Sequence, residues 1–178
     1  MSGYRPITDC WILARSKVAY HGAYPAGFLH RAMALLGVSP QAHVLHVCGG
    51  RIRDYPYKGL GPNHRTLDLD PALKPDFLRD CREPLPRRSA RRLWDAILID
   101  RPYTNGDAEQ YAPGADKLPE LNALLKNALG VVAPGGRVAV LDYLWPHPGK
   151  LGTEVAVIAV GTGRNGRARW YTVFEKTA

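Results

Sequence analysis

Residues 93–104 constrain the possible folds of this chain more than any other stretch. Trp94-Asp95-Ala96-Ile97-Leu98-Ile99 is a short apolar run bounded by Asp95 and Asp100, the pattern of a parallel strand buried on both faces. It runs into Asp100-Arg101-Pro102-Tyr103, and open α/β sheets hold their ligands at the C-terminal ends of such strands. A carboxylate there can accept a hydrogen bond from an exocyclic amine, the fixed φ of Pro102 holds the main chain, and Tyr103 offers a π-face to a planar base. Together these residues suit an extruded nucleobase. Read structurally instead, they are a loop cap, a strand stop and a surface aromatic.

The flanking segments supply the partners such a strand needs. A helix is expected over residues 26–36, where Pro25 stands at the start, Phe28, Leu29, Ala32, Leu35 and Leu36 form one stripe, and Gly37 takes the stopping position. Val44-Leu45-His46-Val47-Cys48, followed by Gly49-Gly50, reads as the first core strand, with glycines that let a ligand approach the backbone. Residues 51–64 hold Pro56, Gly59, Gly61 and Pro62, so no regular helix spans that crossover. Thr66-Leu67-Asp68-Leu69-Asp70-Pro71 reads as a second strand ending in acids, and Phe77-Leu78-Arg79-Asp80-Cys81 as a brief third.

Beyond Tyr103, residues 104–119 are rich in Gly, Pro, Asp and Asn and are expected as a mobile loop over the strand ends. Leu118, Leu121, Leu124, Leu125, Ala128 and Leu129 recur at helical spacing, and Pro134-Gly135-Gly136 turns the chain into a strand over residues 137–143. Residues 154–160 and 169–174 flank the glycine-rich segment 161–167, an antiparallel hairpin expected to close one edge of the sheet. Residues 7–22 fit no single periodicity and receive no assignment.

A length of 178 residues suits one domain, here 1–178 with an N-terminal arm over 1–23. Lys plus Arg number 24 against 16 Asp plus Glu, and the net charge of +8 fits either a polyanionic partner or a basic surface. Arg87, Arg88, Arg91 and Arg92, close to Arg82, are candidate phosphate contacts beside a base pocket; the alternative is a solvated basic loop. Cys10, Cys48 and Cys81 are odd in number and widely spaced, without a metal-ligand pattern, so reduced thiols and no metal are expected. With no signal-type or membrane-spanning run, the expected location is cytoplasmic.

In this order the strand ends resemble the class I S-adenosylmethionine-dependent methyltransferases, and within them the amino-methyltransferases that modify adenine or cytosine in DNA. The resemblance covers roughly residues 24–175 and implies a single Rossmann-like α/β domain, with a mostly parallel twisted sheet and an antiparallel C-terminal hairpin. His46, Cys48, Gly49 and Gly50 would form the turn at the methionine part of S-adenosylmethionine, Asp68 would take the ribose hydroxyls, and Asp80 and Cys81 the adenine. Tyr24, with the helix after it, would lie over the cofactor. Asp100, Arg101, Pro102 and Tyr103 would be catalytic, transferring a methyl group to an exocyclic amine of a nucleobase. Nucleic acid is the implied partner, DNA before RNA, with a recognition partner supplied in trans because no segment is left for a target-recognition domain.

Arg101 stands where this family usually has proline or another small or apolar residue. Its guanidinium could pair with Asp100 or reach outward to a phosphate. In the first case the chain would keep the cofactor pocket but act as a basic nucleic-acid-binding or regulatory module. A dinucleotide-binding oxidoreductase is disfavoured because the first turn lacks a G-x-G-x-x-G run.

Overall fold

The structure is a computed structural model and describes residues 5–16, 23–54, 60–111, 118–162 and 168–177. In chain order its strands are β1 (Ile7–Leu13), β2 (Val44–Val47), β3 (Arg65–Asp68), β4 (Phe77–Leu78), β5 (Trp94–Ile99), β6 (Val132–Asp142), β7 (Gly152–Thr162) and β8 (Ala168–Lys176). The helices are α1 (Phe28–Leu36), α2 (Asn105–Tyr111) and α3 (Leu121–Val131). The eight strands form one sheet in the order β1-β7-β8-β6-β5-β2-β3-β4. The run β6-β5-β2-β3-β4 is parallel throughout, and β8 is antiparallel to both β6 and β7.

β5 lies at the centre, as its apolar run requires, and Ala96, Ile97, Leu98 and Ile99 have 0% exposure. Successive side chains of a strand point to opposite faces, which divides the core in two. Ala96 and Leu98 join Val44, Ala139, Leu141 and Tyr171 under α1, against Phe28, Leu29, Ala32 and Leu36. Ile97 and Ile99 join Leu45, Val47, Val138 and Val140 under α3, against Leu121, Leu124, Leu125 and Ala128. Truncating Leu98 or Ile97 to Ala would cost about 2–5 kcal/mol, since neither layer can collapse onto the lost volume without moving a helix.

Both expected helices form. Gly37 ends α1 at φ 64°, its N–H donating to the Ala34 carbonyl, and the Tyr171 hydroxyl donates to the Ala32 carbonyl at 2.9 Å, fixing α1 to β8. α3 starts at Leu121 rather than Leu118 because the Glu120 carboxylate accepts from the backbone N–H groups of Asn122 and Ala123.

Four expectations need correction. The loop over residues 104–119 opens with α2. Thr104 and Asp107 form a reciprocal capping box, in which the Thr104 hydroxyl accepts from the Asp107 N–H (3.1 Å) and the Asp107 carboxylate accepts from the Thr104 N–H (3.1 Å). That signal outweighs the loop-like composition, and residues 112–117 lie outside the described residues.

The hairpin does not close the sheet, because the unassigned arm supplies β1, which pairs in parallel with β7 from Ile7↔Ala156 to Leu13↔Thr162. Only Trp11 and Leu13 of β1 are buried, so its sequence carries no visible period. The hairpin tip, 163–167, lies outside the described residues. Pro134-Gly135-Gly136 does not precede a strand but sits inside β6, where the register on β5 jumps from Trp94↔Val132 to Ala96↔Arg137. A Cβ on Gly136 would lie 2.7 Å from the Asp95 carbonyl oxygen, so the bulge needs glycine there. The first crossover contains a short 3₁₀ turn at Ile52–Asp54, and residues 55–59 lie outside the described residues. The fourth departure is at Arg87, Arg88, Arg91 and Arg92, which lie near the start of β5 and not at its C-terminal end.

Candidate active site at the strand ends

Because β2 to β6 run parallel, the turns after them meet along one edge. The start of β8 joins them, since Trp170 pairs with Asp142 at the end of β6. So does the chain after β1, which brings Tyr24 to the same edge.

On the β2-β3-β4 side lies the glycine turn. Cys48 and Gly50 both adopt positive φ (55° and 52°), and the Cys48 N–H donates to the Leu67 carbonyl at 2.9 Å. The Asp68 carboxylate accepts from Gly50 N–H (3.0 Å) through Oδ2 and from Asp70 N–H (3.2 Å) through Oδ1. Burial raises the Asp68 pKa, against the lowering effect of these bonds. Each oxygen keeps a lone pair for a further donor, which is what a pair of ribose hydroxyls requires, so this donor set fits the expected cofactor.

Four other residues from the cofactor set are already engaged. Asp80 is held below the usual carboxylate range by Arg82, whose Nε (2.8 Å) and backbone N–H (2.8 Å) both donate to it. The Cys48 thiol donates to Cys81 Sγ at 3.6 Å, and this bond together with burial holds it protonated well above its usual pKa. His46 is turned into the interior, where its Nε2 lies 2.9 Å from His64 Nδ1. A Cβ on Gly49 would come within 3.3 Å of His46 Cβ, so His46 supports the turn from beneath. Burial lowers the pKa of His46 to about 3 and that of His64 to about 4, leaving both rings neutral.

On the β5-β6-β8 side, alternation separates the two residues that sequence alone left in conflict. Asp100 continues the α1-facing set of Ala96 and Leu98, while Arg101 continues the α3-facing set of Ile97 and Ile99. Arg101 therefore does not pair with Asp100, nor does it reach outward. Its Nε lies 2.8 Å from Asp142 Oδ2 at the end of β6, and the two side chains are 4% and 1% exposed.

Asp100 faces a different group. The Tyr103 hydroxyl donates to Asp100 Oδ1, and Arg169 Nη1 donates to the Tyr103 oxygen at 3.4 Å. The Tyr143 ring lies 4.6 Å from that of Tyr103. Tyr24, 3% exposed and stacked on Phe28 at 5.1 Å, adds a hydrogen bond to Asp100, so it touches the carboxyl as well as covering the edge. Burial raises the Asp100 pKa to about 7, with the Asp142 charge adding to the effect and Tyr103, Arg169 and Tyr24 opposing it. Burial and the neighbouring Asp100 keep the Tyr103 phenol protonated, so it remains a donor.

Sequence reasoning missed Asp142, Tyr143 and Arg169. Asp142 and Tyr143 follow the strand-end rule that found Asp100 and could have been found by it. Arg169 opens an antiparallel strand, where that rule does not look.

Arg87, Arg88, Arg91 and Arg92 are not beside this site. Trp94 Nε1 donates to the Pro86 carbonyl (2.7 Å) and Ser89 bridges Arg92, which holds the segment at the N-terminal end of β5. The six residues of β5 separate it from Asp100 by roughly 20 Å. Among the described residues, no group of three or more His, Cys, Asp or Glu side chains is arranged to hold a metal ion, and no helix is long and apolar enough to cross a membrane.

The parallel sheet, its reversed last strand β8 and the turns gathered at one edge define a methyltransferase fold. Solved structures show the same arrangement. TrmN from Thermus thermophilus matches with TM-score 0.64 and 23% identity over 89% of this chain and 51% of that one. The N-methyltransferase NodS from Bradyrhizobium japonicum, in complex with S-adenosyl-L-homocysteine, matches with TM-score 0.54 and 13% identity over 92% and 94%. An rRNA methylase from Streptococcus thermophilus matches with TM-score 0.54 and 10% identity over 88% and 99%. The chain thus spans about half the length of TrmN, with 51% of that protein covered. No family model and no curated protein sequence matches the chain. These structures do not single out the DNA amino-methyltransferases that the sequence motifs resemble.

Proposed function

We propose that the chain transfers a methyl group from S-adenosylmethionine to an exocyclic amine of a nucleobase in nucleic acid. The observation that carries this reading is Asp100, a carboxyl at the end of the central strand with a pKa raised to about 7, enclosed by Tyr24, Tyr103 and Arg169. Gly49, Gly50 and Asp68 would hold the cofactor, with Asp80 available where Arg82 releases it. Bound there, S-adenosylmethionine supplies an activated methyl on a sulfonium. Ionised Asp100 accepts a hydrogen bond from the amine and so aims its lone pair. With a pKa near neutrality, it can also take the proton that the nitrogen sheds once methylated. Tyr103 fixes the carboxyl through its hydroxyl, while the Tyr103 and Tyr143 rings give a planar base an aromatic wall.

The rival, a binding module without chemistry, drew its support from Arg101 pairing with Asp100. Arg101 faces the other side of the sheet. As for the polymer, the sequence motifs favour DNA and the rRNA methylase neighbour favours RNA. The test is incubation with radiolabelled S-adenosylmethionine and separate DNA, RNA and nucleoside fractions, comparing the parent with Asp100→Ala and Tyr103→Ala. Label on one fraction that is lost in both variants supports the reading. Cofactor binding with no label on any fraction rejects it in favour of the module.

A further inference from the structure

We propose that Arg101 and Asp142 are a positioning pair for the loop carrying Asp100 and Tyr103, a role that rests on the methyl-transfer reading of Asp100. Both side chains are almost fully buried, at 4% and 1% exposure, directly behind the reacting edge. The Arg101 Nε–H does not point along its 2.8 Å contact with Asp142 Oδ2, so the contact is an ion pair and not an aligned hydrogen bond. The same guanidinium donates through Nη1 to the Pro102 carbonyl at 3.1 Å, and Asp142 Oδ1 accepts from Leu144 N–H at 2.9 Å. One side chain therefore ties the peptide after Pro102 to the end of β6. A proline at position 101 would fix φ through its ring. Arg101 leaves that torsion free, and the ion pair restrains the loop from the side-chain end instead. Buried ion pairs contribute little net stability, so this one is better explained by what it holds than by what it adds to folding.

The pair also acts on charge. The groups that act on the charge of Asp100 are Tyr103 on its own loop, Tyr24 from the chain after β1, Arg169 from β8 and, from the α3 side of the sheet, Asp142 at the end of β6; Cys48 in the turn after β2 feels the Asp100 charge in turn. Asp142 is the anion of β6 among them, and Arg101 partly neutralises it.

The experiment follows the Asp100 carboxyl by ¹³C NMR titration in the parent, Asp142→Asn, Arg101→Gln and the paired variant Arg101→Leu with Asp142→Leu. Asp142→Asn keeps the acceptor for Leu144 and loses the charge, so the Asp100 midpoint should fall. Arg101→Gln leaves the Asp142 charge without its counter-ion, so the midpoint should rise. The paired variant removes both charges without stranding either, and its midpoint should fall. In the labelled assay, kcat of Asp142→Asn should drop roughly ten- to hundredfold, as for a displaced catalytic group, with cofactor affinity unchanged. Opposite midpoint shifts in the single variants, a result that simple loosening of the fold does not produce, support the proposal. If Arg101→Gln does not fold, the paired variant and Asp142→Asn decide. A midpoint that stays at the parent value in the folded variants overturns it. A parent that transfers no label, with the midpoints still moving, instead removes the methyl-transfer reading.

Discussion

The two halves of the strand-end edge are built in different ways. On the β2-β3-β4 side the acids are held largely by the main chain: Asp68 accepts from the N–H groups of Gly50 and Asp70, and Asp80 from that of Arg82 two residues away. On the β5-β6-β8 side the partners are distant side chains, with Arg169 66 residues from Tyr103. A turn of glycines and acids can hold one invariant cofactor whatever the rest of the sheet does. The half around Asp100, proposed above to take the methyl acceptor, is complete only once β8 is inserted beside β6. Substitutions should therefore divide cleanly, one half changing cofactor affinity and the other changing turnover.

The largest effect expected is at Asp100. Asp100→Asn should lower label transfer by about a hundredfold or more, as for other groups that orient the reacting atoms, and leave cofactor affinity within about twofold. A comparable loss of cofactor affinity by calorimetry would break the division. The converse is Asp68→Ala, which removes the acceptor of Gly50 N–H and of the expected hydroxyls. Hydrogen bonds to charged groups contribute roughly 1.5–3 kcal/mol, so affinity should fall about tenfold or more while turnover at saturating cofactor is little changed. Unchanged affinity would remove Asp68 from the site.

The halves should also respond to pH with opposite signs. The folded pKa of Asp100 is raised to about 7, so its contribution to stability is complete below the unfolded carboxylate range and is lost as pH rises through 7. Asp100→Asn should therefore raise the thermal midpoint at pH 8 more than at pH 5. Turnover runs the other way, increasing as pH rises through about 7, because the ionised carboxylate is the acceptor. His46 and His64 have folded pKa values lowered to about 3 and about 4. Their contribution is complete above the unfolded value of 6.5 and is lost as pH falls toward 4. His46→Leu with His64→Leu should flatten the loss of thermal midpoint between pH 6.5 and pH 4, and a slope equal to the parent's would show that other groups set it.

The same contrast explains what was legible in the sequence. Trp94–Ile99, the turn at Gly49 and Gly50, Asp68 and the stripes of α1 and α3 could be read because apolar period and turn chemistry are local signals. The side-chain direction of Arg101 was legible in principle, since alternation from Ile97 and Ile99 sends it away from Asp100, but its partner was not. Asp142 and Arg169 become neighbours of the loop through sheet order, which no local pattern contains. β1 was hidden for a related reason: an edge strand with two buried residues has nothing periodic to show. α2 was hidden by composition, although Thr104 and Asp107 stood at capping-box spacing.

The smallest effect on turnover should come from Arg87, Arg88, Arg91 and Arg92. Held near the start of β5, roughly 20 Å from Asp100, they are too far to touch a base bound there. A short acceptor occupying only the strand ends should be methylated at the parent rate, within about twofold, after all four are replaced by Ala. A longer nucleic acid can reach both ends of the sheet, and for it each lost phosphate contact should flatten the salt dependence of binding by about 0.7–0.9 in log–log slope. The comparison of lengths is what gives the experiment its force. Equal flattening for short and long acceptors would mean that the segment approaches the acceptor half after all, and an unchanged slope for both would leave the arginines as solvated charge. A slope that changes only with the longer polymer would extend the acceptor half into a second contact zone, remote from Asp100 and concerned with affinity alone.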